Sequence, residues 1–346
     1  MTGQGLQEVH FWYSPGSAGA YRKDVMDPSI AIANLTSVPV LVFALGVIAA
    51  RVRSDLRLPD PVHQAISVYL LLGIGLKGGV ALEGADLATV ALPLLGTAAL
   101  GALIPVCVFL VLGRIGRLGE MDRGAVAAHY GSTSLVTFTA MLVFLDRASV
   151  AYEPTVTTLL AAMEIPGIVV GIALGSRHAQ RHVAWSATFR EILLGKTVLL
   201  LLGGLVVGFL SGSAGFGRVE PFFSGILPGI LALFLLHLGW TAGSRLGETL
   251  RAGPGLVVFA LLFPLVAGSA GVLAGTLAGL SPGGAAVLGI LSASASYIAA
   301  PAAVAIALPE ADASLPVMAA LGVTFPVNLI IGIPLLATLS GAIPAT

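Results

Sequence analysis

A train of apolar windows, each close to the length that crosses a bilayer, limits this chain more than any other feature of its sequence. A helix rising 1.5 Å per residue needs about 20 apolar residues to cross a hydrocarbon core of about 30 Å. About ten windows meet that requirement, at 30–50, 62–82, 87–112, 122–145, 155–176, 189–211, 220–243, 254–279, 283–308 and 315–340. The connections between them are short and leave no stretch for a separate soluble domain. Of the 346 residues, 57% are hydrophobic and 10% charged, against about 25% charged in an average soluble domain. The expected fold class is therefore an all-α polytopic membrane protein. The 17 basic and 17 acidic residues cancel, so no net field points to nucleic acid.

Weak internal similarity divides the ten windows into five plus five. GAVAAHYGSTS (124–134) lies against GAAVLGILSAS (284–294), matching Ser132 with Ser292 and Ser134 with Ser294 at an offset of 160, and the same offset puts Pro166 on Pro326. A slightly different offset pairs GLKGG (75–79) with GWTAG (239–243). An odd number of spans per repeat makes the second copy enter from the opposite face, the inverted topology of many secondary transporters. The expected organisation is an N-terminal extension at 1–29, a first repeat at 30–176, a connector at 177–188 and a second, inverted repeat at 189–346. Residues 1–25 lack the pattern of a signal peptide, and Met26, followed by DPSIAIANLTSVPVLVF, reads as an alternative start.

Basic residues orient the chain. Arg51, Arg53, Arg57, Arg114, Arg117, Arg123, Arg177, Arg181, Arg190, Arg245 and Arg251 fall beside odd-numbered connections, whereas Arg22, Lys23, Arg147 and Arg218 fall on the other side. The excess puts the odd connections in the cytoplasm and both termini outside a plasma or inner membrane.

Polar residues inside the apolar windows mark the candidate site. HYGSTS (129–134) and SASASYIAAPAA (292–303) each lie about ten residues into a window, entered from opposite faces. Ten residues cover about 15 Å, half the hydrocarbon thickness, so both clusters arrive near the midplane. Runs of Gly, Ser and Pro at that depth can interrupt a helix, with Pro301 unable to donate to it. Two interruptions would aim the N-termini of the second half-helices at each other, favouring an anion, while the carbonyl ends of the first halves favour a cation. The competing reading is that small residues simply allow close helix packing. That reading suits Gly271, Gly275 and Gly279.

Three ionisable residues lie within windows. A charge at the bilayer centre costs about 2.5–3.5 kcal/mol on insertion scales, so each needs a partner or a task. Lys77, among glycines that would expose backbone, attracts an anion or snorkels outward; Lys196 snorkels toward the cytoplasm. Glu164 is too central to snorkel, leaving either an ion pair with Lys77 or a cation or proton site. His129 reads as a packed neutral histidine, and Cys107 as a buried small hydrophobe that cannot form an intrachain disulfide. The GKT at 195–197 is no phosphate loop, because Arg190 stands where that motif requires glycine.

In combination, LLLGIGLKGGVAL, VAAHYGSTSLVTF, YEPTVTTLLAAMEIPGIVV and SASASYIAAPAAVAIALPEA resemble the sodium-dependent bicarbonate transporter (SbtA-type) family from about Met26 to the C-terminus. The resemblance implies ten helices in two inverted five-helix repeats with discontinuous crossing helices, divided into core and gate domains. It implies a lipid-embedded homotrimer that imports bicarbonate with Na+ by an elevator-like motion, without enzymatic activity or an organic cofactor. By motif it puts the anion near Lys77, Gly131, Ser132, Ser134, Ser292, Ser294 and Ser296, and sodium near Thr133, Ser294, Ser296 and Glu164. The 177–188 connector is short, which departs from the long loop expected of a member with a PII-like regulatory partner. The alternatives within the same fold are a carrier of another small anion and a cation/proton exchanger; the single central carboxylate, Glu164, argues against the exchanger.

Overall fold

The computed structural model describes residues 34–115, 118–177, 183–251 and 253–343. The expected N-terminal extension at 1–29 lies outside the described residues, as do Met26, Arg22, Lys23, Arg117 and Arg181. All regular structure among the described residues is helical. In chain order the helices are α1 (Val38–Arg51), α2 (Asp60–Glu83), α3 (Leu87–Ile115), α4 (Glu120–Gly131), α5 (Leu135–Arg147), α6 (Val156–Gly175), α7 (Trp185–Leu194), α8 (Lys196–Phe216), α9 (Leu227–Arg251), α10 (Pro254–Leu277), α11 (Pro282–Ala293) and α12 (Ala300–Ala307). The last, α13, runs over Ser314–Ala342. Eight helices, counting α4 with α5 as one, are long and apolar enough to cross a membrane; α1 and α11 are shorter apolar helices.

Two helix pairs are built on glycine. On α1, Gly46 lies against the backbone of Leu236, Gly239 and Trp240 on α9, leaving no room for a Cβ. On α2, Gly75 meets Leu201 and Gly204 of α8 in the same way. Without a hydrophobic driving force between helices in lipid, such backbone approach supplies the van der Waals contact that holds them. The glycines around Lys77 are therefore filled by α8 and by Thr157, contrary to the expectation that they expose backbone. The remaining long helices pack together: α4 against α3 and α6, and α11 against α10 and α13.

Prolines inside helices leave carbonyls that other side chains answer. Pro264 in α10 cannot donate to the carbonyl of Ala260, four residues earlier. The Thr324 hydroxyl donates to that carbonyl at 2.8 Å, and the Tyr130 hydroxyl in turn bonds Thr324 at 2.6 Å. Helix α13 contains two wide π turns, Ala320–Thr324 and Asn328–Gly332, flanking Pro326. Such turns commonly mark functional positions in a helix, and the second carries Asn328.

Several boundaries differ from the sequence-based expectation. The fourth and ninth windows each contain two helices. The sixth window was expected to start at 189, but α7 ends at Leu194 and α8 starts afresh at Lys196 after Gly195. Gly279 is no packing glycine. It has φ +82° and no atom near the place of a Cβ, and it turns the chain beyond the end of α10 while Leu280 N–H bonds the Gly275 carbonyl at 3.0 Å. Gly271 and Gly275 do pack, against Ser292 and Ala285 of α11. Cys107 is half-exposed rather than buried.

Candidate functional site

The first interruption follows Gly131. Ser132 has φ −88° and ψ 174°, so the chain leaves the helix in extended form and α5 starts only after Ser134. Ser134 is the N-cap of α5, its Oγ accepting from Thr137 N at 3.2 Å and from the Thr137 hydroxyl at 2.9 Å. The second interruption begins at Ser294, with φ −93° and ψ 170°, and lasts until α12. There Ser296 Oγ accepts from the N–H groups of Ala299 and Ala300, both at 3.3 Å. Pro301 lies beyond this break, seven residues after its start. It stands in the first turn of α12, where its missing N–H would have had no intrahelical partner.

The two interruptions bond to each other. Ser134 N–H donates to Ser294 Oγ at 2.9 Å, joining residues 160 positions apart. Ser296 N–H donates to the carbonyl of His129 at 2.7 Å, and the Ser134 hydroxyl donates to the Tyr297 oxygen at 3.2 Å. Asn328 on α13 donates to the freed carbonyl of Ala293 at 2.7 Å. Much of the polar backbone exposed by breaking two buried helices is thus satisfied by the other break or by a neighbouring helix, as an apolar surrounding demands.

This arrangement also defines what remains to act. The hydroxyls of Ser134, Ser294 and Ser296 are engaged within the protein, as caps or bridges. The Ser132 hydroxyl is buried beside the Glu164 carboxyl, outside good hydrogen-bond geometry. Leu135 and Val136 occupy the first turn of α5, where backbone N–H groups have no intrahelical acceptor. Ser292 lies within the last turn of α11, its hydroxyl returned to the Leu288 carbonyl at 2.9 Å and its side chain against Gly271. The break begins two residues beyond it.

Glu164 on α6 is 3% exposed and faces the first interruption, where the Thr133 hydroxyl donates to its Oε2 at 3.4 Å. The expected alternative of a pair with Lys77 does not occur: the ion pairs found among the described residues are Arg57–Asp60 and Arg123–Glu120. A buried carboxyl with one long hydrogen bond calls for a proton or a cation. Lys77 is half-buried on α2 and is not among the residues lining the cavity at the breaks. Lys196 is exposed at the start of α8, as expected of a snorkelling residue. His129 is buried, its Nδ1 2.7 Å from the Ala125 carbonyl, so that nitrogen carries a proton.

The first interruption is pressed directly on α6, where a Cβ on Gly167 would enter the backbone of Gly131 and Ser132. The N-terminus of α11 is held by Glu153, which accepts from the N–H and hydroxyl of Ser281. Beside it, Tyr152 donates to Asp146 at 2.9 Å, and burial followed by that carboxylate raises the phenol above its usual range.

A cavity of about 10 Å³ lies between the breaks, lined by Thr133, Ser134, Leu160, Glu164, Ser296 and Tyr297 among others. It is about the size of one water molecule. A second cavity, of about 560 Å³, lies at the ends of α2 and α3, where Glu83, Val90 and Pro93 line it with Ser213 of α8, Leu159 of α6 and residues of the 84–86, 148–155 and 278–281 connections. Leu159 and Leu160, consecutive on α6, line the larger and the smaller space respectively.

Sequence reasoning missed Asn328, Tyr297 and Thr137. Asn328 had a usable signal, being an amide in the middle of the tenth apolar window. Tyr297 sits inside SASASYIAAPAA itself, and Thr137 matters only through the cap geometry.

Eight apolar helices of spanning length, together with the α4/α5 and α11/α12 breaks whose polar residues meet in the interior, define a multi-pass membrane protein of the transporter class. A comparison with curated proteins finds no match. The family model described as the Na+-dependent bicarbonate transporter superfamily matches residues 39–340, and the chain belongs to that superfamily.

Proposed function

We propose that this chain imports bicarbonate together with Na+ by alternating access across a plasma or inner membrane, with its odd connections in the cytoplasm. The observation that carries the reading is the Ser134–Ser294 bond between two interrupted helices. It sets the N-termini of α5 and α12 around one point, where helix dipoles and first-turn N–H groups favour an anion. Glu164 and Thr133, beside the first interruption, provide oxygen atoms for the cation.

An inverted repeat is supported by geometry, at an offset of 162 and not the 160 at which the sequences align, so that Ser132 and not Ser134 corresponds to Ser294. Helices α4 and α11 both have 12 residues, start and end 162 positions apart (Glu120 to Pro282, Gly131 to Ala293), and leave the helix through nearly the same dihedral angles. The contacts Gly46–Gly239 and Gly75–Gly204 exchange with each other if the first repeat is mapped onto the second. The four helices α1, α2, α8 and α9 form the gate in this reading, and the helices around the breaks form the moving core of a homotrimer. The small cavity is too tight for a four-heavy-atom anion, while the larger one approaches it from the even-connection face. The conformation therefore corresponds to a closed site nearer the outside.

The energetics agree. Bringing one anion into a cell costs about 2.3 kcal/mol per 100 mV of inside-negative potential, and one co-transported Na+ cancels that cost. The sodium concentration gradient then supplies the drive. The test is uptake of labelled bicarbonate into proteoliposomes with and without a Na+ gradient. Sodium-dependent uptake is expected in the wild type and abolished by Ser134→Ala with Ser294→Ala. Unchanged uptake in the double variant refutes the site, and transport of citrate or another anion instead of bicarbonate refutes the substrate.

A further inference from the structure

The contact between α2 and α9 carries a group of side chains that the transport reading does not use. His63, one turn into α2, faces His237 of α9 with ring centroids 4.4 Å apart. The His63 ring also stacks on Phe234 of α9 at 4.8 Å. Arg57 lies over the Trp240 ring at 5.6 Å while bonding Asp60 at 2.7 Å. His237 Nδ1 and Trp240 Nε1 are buried without hydrogen-bond partners. A cavity of about 110 Å³, lined by Asp55, Arg57 and His237, adjoins the cluster.

The position of the cluster gives it leverage. Helix α2 is fastened to α8 and α9 to α1 by glycine contacts, so the imidazole contact joins one helix pair to the other. It lies at the end of α2 next to the 52–59 connection, on the face expected to be cytoplasmic. The charges that reach the two rings are Asp60 on α2, Arg57 on the preceding connection and Lys196 at the start of α8. Asp55, which lines the adjoining cavity with His237, faces the cluster as well, so that two acidic and two basic groups surround the rings. Imidazole is the side chain whose charge ordinarily changes near neutral pH. A first proton meets Arg57 and Lys196 as like charges, and a second would put two like charges on neighbouring rings. Asp60 is the anionic partner toward which a charged ring would turn, leaving the stack on Phe234.

We propose that the His63–His237 contact is a proton-operated latch between the α1/α9 and α2/α8 pairs, closed as two neutral rings in tilted contact with His63 stacked on Phe234, and released when the cytoplasmic side becomes acidic. The latched form holds fewer protons than the released form, so lowering the pH favours release. Release loosens the frame against which the interrupted helices move, and transport slows.

The test compares full-length wild type with His63→Phe, which keeps an aromatic ring against Phe234 and cannot take a proton. Thermal unfolding in detergent between about pH 7.5 and 5.5 is the first measurement. The melting temperature is expected to fall with acidification in the wild type and to fall by less than about half as much in His63→Phe. The second is bicarbonate uptake into proteoliposomes with outer pH fixed and the pH at the cytoplasmic side varied. A drop of about three-fold or more is expected in the wild type, with a nearly flat profile in the variant. Equal pH slopes in the two proteins overturn the latch, as does a wild type with no slope. If His63→Phe does not fold, His237→Gln replaces it with the same expected flattening. Only the uptake measurement rests on the proposed function. Absence of uptake together with the expected difference in melting overturns transport and supports the latch.

Discussion

The two interruptions meet at one point but are built differently. The first is three residues long, 132–134, and is clamped between the Pro105 ring and the backbone of Gly167. The second is six residues long, 294–299, and is tied by side chains, with Ser296 capping α12 and Asn328 holding the Ala293 carbonyl. A carboxylate, Glu164, faces the first, and an amide, Asn328, serves the second. Both breaks offer helix N-termini, so anion attraction is shared between them, whereas the negative group belongs to one side. In the proposed transporter this assigns bicarbonate to the seam and sodium to the first break.

The largest expected effect comes from the clamp. Gly167→Val forces a branched side chain into the backbone of Gly131 and Ser132, and nothing flexible is present to yield. Overpacking of a tight interior costs about 1–3 kcal/mol and more when backbone must move. Loss of folded, monodisperse protein is expected by size-exclusion chromatography. Recovery of a folded, active variant would show that the first break is not clamped. Next in size is the contrast between Glu164→Gln and Asn328→Ala. The first removes the negative charge and is expected to raise the Na+ concentration for half-maximal uptake by about ten-fold, equivalent to about 1.4 kcal/mol of binding. The second leaves a buried carbonyl unpaired, at about 1–3 kcal/mol of stability. It is expected to lower the melting temperature and leave sodium dependence unchanged. The reverse pattern, sodium dependence altered by Asn328→Ala and not by Glu164→Gln, would move the cation to the second break.

How much of this asymmetry was legible in the sequence depends on whether its cause is local. HYGSTS and SASASYIAAPAA were recognisable because polar residues in apolar windows carry a cost that needs a reason. Their meeting was foreseeable from the opposed entry of the two windows, but the 160 offset misaligns them by two residues: Ser134 bonds Ser294, whereas Ser132 holds the place equivalent to Ser294. The exact start of the second break was not legible, because Ser292 and Ser294 belong to the same alternating pattern. In the structure Ser292 stays helical, its side chain against Gly271 and its hydroxyl on the Leu288 carbonyl. That Glu164 meets Thr133, 31 residues away, came only from the family resemblance, which put both near sodium; no local pattern shows the crossing of α4 and α6 that brings them together. Helix α7 escaped notice because ILL (192–194) and VLLLL (198–202) read as one apolar window, with the intervening Lys196 taken to snorkel. The π turns of α13 have no periodic signature of their own.

Pro301 provides the smallest and most discriminating comparison. Read from sequence, it looks like the breaker of the ninth window, in which case Pro301→Ala would let the helix run through and close the site. In the structure the turn away from helix occurs at Ser294, seven positions earlier, and Pro301 occupies the first turn of α12. A first-turn residue needs no intrahelical N–H bond, and proline's fixed φ already suits a helix start. Replacing it with alanine frees the unfolded chain and costs about 0.4–1 kcal/mol at most. Uptake is therefore expected to stay within about two-fold of wild type, with a melting temperature lowered by a few degrees. A large loss of uptake in Pro301→Ala would mean that the proline, and not the cap at Ser296 with the Asn328 tether, keeps the second interruption open. The two breaks would then be maintained by unlike means, one by proline and one by close packing. Preserved uptake leaves Ser296 and Asn328 as the groups that replace, on the second side, what backbone contact with Gly167 does on the first.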